Sequence, residues 1–403
     1  MKIAQICPYD FDRPGGVQVH IRDTAIALQE LGCEVTVIAP RVDRDDAIPP
    51  PPGVTLVKVG RTRKVGFAGT AFELSLATGD GLLELEALLA PGRFDVVHFH
   101  SVWTPVMPMQ AFLASRTAKV ATVHETPPEG AGGLIPKFGL RALSLLTFPY
   151  VDAVIGVSEA PLTNVIPARG QPVFVLPPCT DLRRFAEAPP PRRETGDERT
   201  TILFAGRLEP RKGAMSLLQA FHRLRQDGLA VRLLIAGTGQ EEGALRRYVA
   251  EHRVSDVEFT GGFQDPDAPD LFGASDIFCA PSLYGESFGI VIAEAMAAGR
   301  PVVAAGNRGY RTLLTGEGAR FLTPPGDVDA LHVALRDLAV DPVLRLQLGA
   351  WGRREALKYD CRQVAPKLVE VYAQAIARRA SRFPLIPGAV LAGSPLDEPA
   401  AGG

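Results

Sequence analysis

Cysteine is scarce in this chain, with five among 403 residues. Cys7, Cys33, Cys179, Cys279 and Cys361 stand far apart with no paired spacing. That argues against a zinc site or a disulfide framework and fits a reducing compartment, so a cytoplasmic location is expected. Long apolar runs are missing too. No stretch reaches roughly 18 uninterrupted apolar residues, so no transmembrane helix is expected. The most apolar long segment, 133–157, is broken by Pro136, Lys137, Arg141, Pro149 and Asp152. The opening MKIAQICPYDF has too short an apolar run for a secretory signal and reads as a first strand. Excess charge of either sign is absent: 43 Lys and Arg face 45 Asp and Glu, a net charge of −2. Such a balance gives no overall field to hold nucleic acid, and no nucleic-acid partner is expected. With 46% hydrophobic and 22% charged residues, the composition excludes disorder, collagen and coiled coil. At about 150 residues per domain, the length suits two large α/β units.

The order of short Val- and Ile-rich runs indicates the fold class. KIAQI, VTVIAP, VTLVKV, FDVVHFH, KVATVH, AVIGVS and VFVLPP alternate with helical patterns, the first helix running from about Gln18 to Leu31. Runs of this kind suit a parallel sheet buried on both faces, with right-handed crossovers. The segment EAPPPRRETGDERT (187–200) then breaks the pattern; its prolines disfavour helix and it lacks apolar periodicity. The alternation resumes with TILFAGR, RLLIAG, VEFTG, DIFCAP and PVVAA. The expected organisation is a first Rossmann-like domain over 1–185 and a linker over 186–199. A second Rossmann-like domain follows over 200–361, then a helix crossing back over 362–379 and a low-complexity tail over 380–403. Ligands of open parallel sheets sit outside the strands' carboxyl ends, so two facing domains would share one deep cleft.

Three stretches carry chemistry. In PGGVQVH, Gly15 and Gly16 allow a close backbone approach, and the helix that follows favours an anion; a plain tight turn remains the alternative. In GRLEPRKG, Arg207 and Lys212 follow a strand, where a bidentate fork and a compact charge suit a pyrophosphate; solvated surface cations are the alternative. In GESFGIVIAEAMAAGRPVVA, Glu286 precedes a helix start and Glu294 lies eight residues later. The amides of Phe288, Gly289 and Ile290 stand at that start as donors.

Together these stretches and the FDVVHFH strand resemble the large retaining glycosyltransferase family four, of GT-B fold: α/β, two facing Rossmann-like domains with a deep interdomain cleft. Within it the likeness extends, in CPYDFDRPGGVQVH and EPRKG, to bacterial phosphatidylinositol mannosyltransferase-like enzymes. The resemblance covers residues 1–375. It implies a nucleotide-sugar donor, UDP- or GDP-linked, and no further cofactor or metal. Arg207 and Lys212 would bind the donor pyrophosphate, helped by the backbone at Gly15 and Gly16. Glu286 would hold hydroxyls of the transferred sugar, with the amides of Ser287, Phe288, Gly289 and Ile290 nearby. Glu294 would take the ribose, and Gly262 and Phe263 would border the base. His124 matches the family's active-site histidine beside the reaction centre. The catalytic set is then His124, Glu286, Arg207 and Lys212. The acceptor implied is a lipid at the inner membrane surface, with a soluble saccharide as the alternative. Acceptor contacts fall to Tyr9, Gln18, Arg61, Arg63 and Trp103. A sugar-nucleotide epimerase and a non-catalytic binder are rivals from other classes.

Two departures from the family stand out. Its Asn-Gly-Val-Asp turn is replaced by Pro178, Cys179, Thr180 and Asp181. The stretch FELSLATGDGLLELEALL is acidic where lipid-acting relatives carry a basic helix. Residues 1–180 hold 15 Lys and Arg against 17 Asp and Glu. Other surfaces for an anionic acceptor or membrane are the cluster Lys58, Arg61, Arg63 and Lys64, and the helix GLIPKFGLRALSLLTFPY. The alternative for that helix is packing in the core. Exposed Trp103 and Met107 would form an apolar acceptor wall, with ordinary packing of the segment after a strand as the alternative. His98, His100 and His124 end neighbouring strands and are expected to meet as a satisfied polar cluster at the cleft, with metal ligation as the alternative.

Overall fold

The computed structural model describes residues 1–382 apart from 14, 43–48, 68–69, 105, 129–130, 188–197 and 264. Most of the linker expected over 186–199, and the tail from 383 onward, lie outside the described residues. The strands are β1 (Lys2–Ile6), β2 (Glu34–Pro40), β3 (Thr55–Val59), β4 (Arg61–Phe67), β5 (Thr70–Leu76), β6 (Val96–His100), β7 (Ala118–Val123), β8 (Ala153–Gly156) and β9 (Val173–Val175) in the first half. The second half supplies β10 (Thr200–Ala205), β11 (Val231–Ala236), β12 (Val257–Gly261), β13 (Ile277–Ala280), β14 (Val302–Ala305) and β15 (Leu322–Thr323).

Seven strands form one parallel sheet in the order β3-β2-β1-β6-β7-β8-β9, and six form a second in the order β12-β11-β10-β13-β14-β15. The central strands explain themselves. Every residue of β6, β7 and β10 is buried, as central strands covered by helices on both faces require. Each sheet reverses strand order once, at β1/β6 and at β10/β13. A doubly wound sheet opens its crevice at that reversal. The loops after β1, β6, β10 and β13 therefore border those crevices.

One local reading is corrected. FELSL is not helical; it lies in β5, which pairs antiparallel with β4 in a hairpin. The acidic helix is shorter, Asp80–Leu88. Alternating Phe72, Leu74 and Leu76 fit a strand's period of two as well as a helix edge, and cross-strand pairing decides between them.

The chain passes between the halves near residues 180 and 360, where Thr180 and Asp360 pair as a bridge and Cys361 N–H donates to Thr180 O at 2.9 Å. The Pro178–Asp181 departure lies in this crossing. Asp360 accepts from Leu182 N–H, Asp23 accepts from Asp181 N–H, and His20 meets Cys179 O at 3.4 Å. Phe185 is fully buried against Phe272, with ring centres 5.5 Å apart. Burial of such a side chain contributes about 1.5–3 kcal/mol. The final helix, Cys361–Arg382, lies on the first half, against helix Gly16–Glu30 and β7. Its Tyr372 hydroxyl reaches His98 Nδ1 at 2.8 Å.

Candidate active site between the two sheets

After β10 the chain makes a single 3-10 turn, Pro210–Lys212, ended by Gly213 at φ 72°. A Cβ at Gly213 would lie 2.2 Å from Pro281 O, so only glycine fits there. The turn aims two consecutive cations at one carboxylate: Lys212 Nζ and Arg211 Nη1 donate to Glu286 Oε1 at 2.7 and 3.2 Å. Arg211 also binds Glu209 Oε2 at 2.9 Å, and Arg207 Nη1 binds Glu209 Oε1 at 2.7 Å. Lys212 and Glu286 are largely buried, whereas the Arg207 side chain is 63% exposed. The GRLEPRKG pattern points to Arg207 and does not distinguish Arg211, whose side chain lies deeper. A tight turn pointing neighbouring side chains the same way is not visible as a spacing pattern.

Glu286 sits in the loop after β13, as expected. The helix Ile290–Ala297 begins after Gly289, at φ 105° and packed on the Tyr310 ring. Tyr310 is fully buried and its hydroxyl meets Ser282 Oγ at 2.8 Å; burial, with Glu286 nearby, pushes its pKa well above the usual value. Phe288 is buried and Ile290 half-buried against the second-half core. Gly262 and Phe263 follow β12, with Phe263 packed on that core and Gly262 beside Thr238.

Ser287 closes the gap between the halves. Its hydroxyl donates to His124 O at 2.5 Å and meets Thr126 Oγ1 at 2.7 Å, and its carbonyl accepts from Ser158 Oγ at 2.5 Å. Ile290 also faces Gly16, where a Cβ would stand 3.5 Å from its Cδ1. The structure thus brings the Gly15–Gly16 turn, His124, Glu286 and Lys212 to one cleft. Ser158 and Thr126 lie 129 and 161 residues from Ser287, and no local pattern announces them.

Four imidazoles cluster in the first half, largely buried. His100 Nδ1 meets His124 Nε2 at 3.1 Å, and the His20 ring centre lies 5.2 and 5.5 Å from those of His100 and His124. His98 bonds to Tyr372 and Thr122. The expected trio meets as a polar cluster, with His20 added. Burial pulls His20 down to about 4 and His98 to about 3, and holds His100 and His124 well below the usual value. At neutral pH the His124 ring is therefore uncharged. One ring nitrogen each of His20, His100 and His124 lies within 4.8 Å of the others, a spacing within reach of a divalent ion. The bond between His100 and His124 is one that two neutral imidazoles make by sharing a single N–H. Next to His124, Glu125 has its pKa raised by burial, and Ser101 beside it adopts φ 57°, rare for a non-glycine.

Glu294, one turn into its helix, is buried beside Arg184, Asp265 and Asp23. Arg184 grips Asp265 with two bonds of 2.7 and 2.6 Å. Burial raises Glu294 from 4.5 to about 8. Between those two values the folded protein keeps a proton that the unfolded chain releases, so this group's contribution to stability falls as pH rises. Glu294→Gln is expected to raise the unfolding temperature by a few degrees at pH 8, with the gain vanishing near pH 5. Thermal melts across that range check it; an equal shift at both pH values would contradict the assignment.

The proposed acceptor residues separate. Gln18 is buried and donates to Asp10 O at 3.2 Å, and Tyr9 is raised by burial and by Glu125. Lys58 is held by Asp12 at 2.5 Å. Arg61 is exposed at the hairpin start; the side chains of Arg63 and Lys64 lie outside those described. The exposed apolar wall is corrected: Met107 is fully buried, and Trp103 is half-buried with its ring 5.3 Å from Phe148. Both are drawn inward by the core that includes Phe99 and Phe112.

Two facing doubly wound sheets, with paired cations and a carboxylate from one half closing on a histidine from the other, define a glycosyltransferase of GT-B fold. Residues 14–184 match the family described as "Glycosyltransferase Family 4", and residues 188–355 match "Glycosyl transferases group 1". The chain is 33% identical over 383 residues to a phosphatidyl-myo-inositol mannosyltransferase of Mycolicibacterium smegmatis, covering 92% of this chain and 93% of that one. It is 29% identical to a D-inositol 3-phosphate glycosyltransferase of Thermobispora bispora, covering 90% and 91%. Among solved structures, Anabaena HepE in complex with UDP and glucose superposes with a TM-score of 0.73 at 20% identity, covering 93% and 99%. The chain belongs to glycosyltransferase family four.

Proposed function

We propose that the protein transfers a hexose, with retention of anomeric configuration, from a nucleotide-diphosphate sugar to the inositol headgroup of a membrane phospholipid, at the cytoplasmic face of the membrane. The observation that carries this reading is the pairing of Lys212 and Arg211 on Glu286, a loop that Ser287 clasps to His124. Cations placed for a diphosphate, a carboxylate placed for sugar hydroxyls and a neutral imidazole then surround one sugar carbon. The C1–O bond to the diphosphate breaks and its electron pair stays on phosphate oxygen. The acceptor oxygen bonds to C1 from the same face, and its proton passes to that phosphate oxygen. The enzyme's share is alignment and stabilisation of the departing charge. Donor contacts comprise Gly15, Gly16, Arg207, Arg211, Lys212, Gly262, Phe263, Glu286, the Ser287–Ile290 amides and Glu294, the last as a neutral carboxyl that both donates to and accepts from ribose. The proposed mechanism uses no metal.

Relatives named for phosphatidyl-myo-inositol and for D-inositol 3-phosphate share an inositol acceptor and support that headgroup. The mannosyltransferase names make mannose the first sugar to test. A thermal-shift panel of UDP- and GDP-sugars identifies the donor, because a bound ligand stabilises by mass action. Transfer assays then compare phosphatidylinositol vesicles with soluble inositol phosphate, and NMR of the product reads the anomer. Conversion of the donor sugar without any acceptor, or an inverted product, would overturn the reading. Transfer to the soluble acceptor alone would replace the lipid.

A further inference from the structure

The helix Leu134–Thr147 is built inside out. The residues it buries are Ser144 and Thr147, and apart from Arg141 the residues it exposes are apolar. Ile135 is 85% exposed, Phe138 75% and Leu146 70%, with Leu134 and Leu145 also exposed. The inward side is held by polar bonds: Ser144 Oγ accepts from Ile166 N–H at 2.9 Å and donates to Arg141 O, and Thr147 Oγ1 donates to Leu143 O. The packing alternative is thereby overturned, because hydroxyls occupy the inner face. At 3.6 residues per turn, the five exposed apolar side chains fall within about a third of the helix circumference. Lys137 and Arg141, one turn apart, line one margin of that stripe. Tyr150, exposed just beyond the helix, is an amphipathic ring of the kind enriched at membrane–water interfaces. Contiguous exposed apolar surface of this kind marks an interaction site.

Charge selects the occupant. From Ala131 to Val151 the chain has no acidic residue, and the next acid, Asp152, is buried. Arg382, at the end of the last helix, reaches Pro149 O at 2.8 Å and Asp152 at 3.7 Å, so one cation of that helix stands beside the Phe148–Tyr150 turn and offsets the buried acid. The helix spans about 21 Å, too short to cross a bilayer but suited to lie in its surface. The helix Asp80–Leu88, which carries Asp80, Glu84 and Glu86, has the wrong sign for an anionic surface. Eight residues separate Thr126, which touches Ser287, from Leu134, so the stripe begins within about 28 Å of chain from the cleft.

We propose that Leu134–Tyr150 is the membrane-docking element, its apolar stripe entering the surface of an anionic bilayer and Lys137 and Arg141 meeting lipid phosphates. The choice of a bilayer as occupant rests on the lipid-acceptor reading above. The test is flotation of the full chain with phosphatidylcholine vesicles, with and without phosphatidylinositol. Phe138→Ser/Leu146→Ser should keep its melting temperature, since both side chains are exposed, and bind vesicles at least about tenfold more weakly. Lys137→Glu/Arg141→Glu should lose the preference for phosphatidylinositol vesicles. Transfer to a short-chain, water-soluble phosphatidylinositol should be unchanged in both variants while transfer to vesicles falls. Vesicle binding by the serine variant equal to wild type overturns the proposal. So does a wild-type dimer that binds no vesicles and becomes monomeric in the serine variant, which assigns the face to a second copy. Helix-dependent vesicle binding without any transfer to phosphatidylinositol would sink the acceptor reading and leave the docking element standing.

Discussion

Lys212→Ala is expected to lower kcat/KM for sugar transfer by roughly 100- to 1000-fold, the cost of losing one preorganised partner for charge that develops in the transition state. Lys212 is the shorter of the two contacts to Glu286, at 2.7 Å, and most of its side chain is shielded from water. A cation in that position acts in a lower dielectric than a surface lysine and is little screened by salt. Arg207→Ala should cost much less, about tenfold, because its side chain is largely exposed and already tied to Glu209. The fold should tolerate Lys212→Ala, since Arg211 stays within 3.2 Å of Glu286 and keeps the buried carboxylate paired. Initial rates at saturating acceptor, with melts run in parallel, measure both effects. A Lys212→Ala enzyme within threefold of wild type would show that the diphosphate leaves elsewhere.

The contrast between Lys212 and Arg211 shows what a sequence conveys about such a site. The sheets were legible because their strands, such as KVATV and TILFA, are buried on both faces and announce themselves as short runs rich in Val, Ile, Leu and Ala. The glycine turns and the ESFG loop were legible because they need particular residues in particular backbone shapes. Arg211 was not, because its value lies in the direction a 3-10 turn gives its side chain. The Ser287 clasp was not, because its partners come from the other half of the chain. The hairpin β4–β5 was misread where Phe72, Leu74 and Leu76 satisfy two periods at once. The helix Leu134–Thr147 shows a further limit. Its composition fits a core helix and a surface helix equally, and the bond from Ile166 N–H to Ser144 Oγ is what turns the leucines outward.

Glu286→Gln should move donor chemistry and product binding in opposite directions. In the ligand-free protein the Glu286 carboxylate occupies both Lys212 and Arg211, so an incoming diphosphate must compete for cations that are already paired. Glutamine keeps the volume and removes the competing charge. The free nucleoside diphosphate is then expected to bind about five- to tenfold more tightly, the size of a partly buried ion-pair contribution near 1 kcal/mol. Sugar transfer should nevertheless fall by about 100-fold, because hydrogen bonds to a charged acceptor are roughly twice as strong as neutral ones and the sugar loses them. Calorimetry with the free nucleotide and initial rates with the nucleotide sugar separate the two effects. A uniform loss of both would mean that Glu286 serves only to order its loop. The same residue is the obvious candidate for a covalent nucleophile, which would have to bond to C1 while the diphosphate departs with the electron pair. Wild-type enzyme incubated with donor alone should gain no hexose mass under denaturing mass spectrometry. A stable adduct at Glu286 would replace same-face transfer with double displacement. In the ligand-free state Lys212 and Arg211 both pair with Oε1, and that double pairing favours a carboxylate that holds hydroxyls while the cations wait for phosphate.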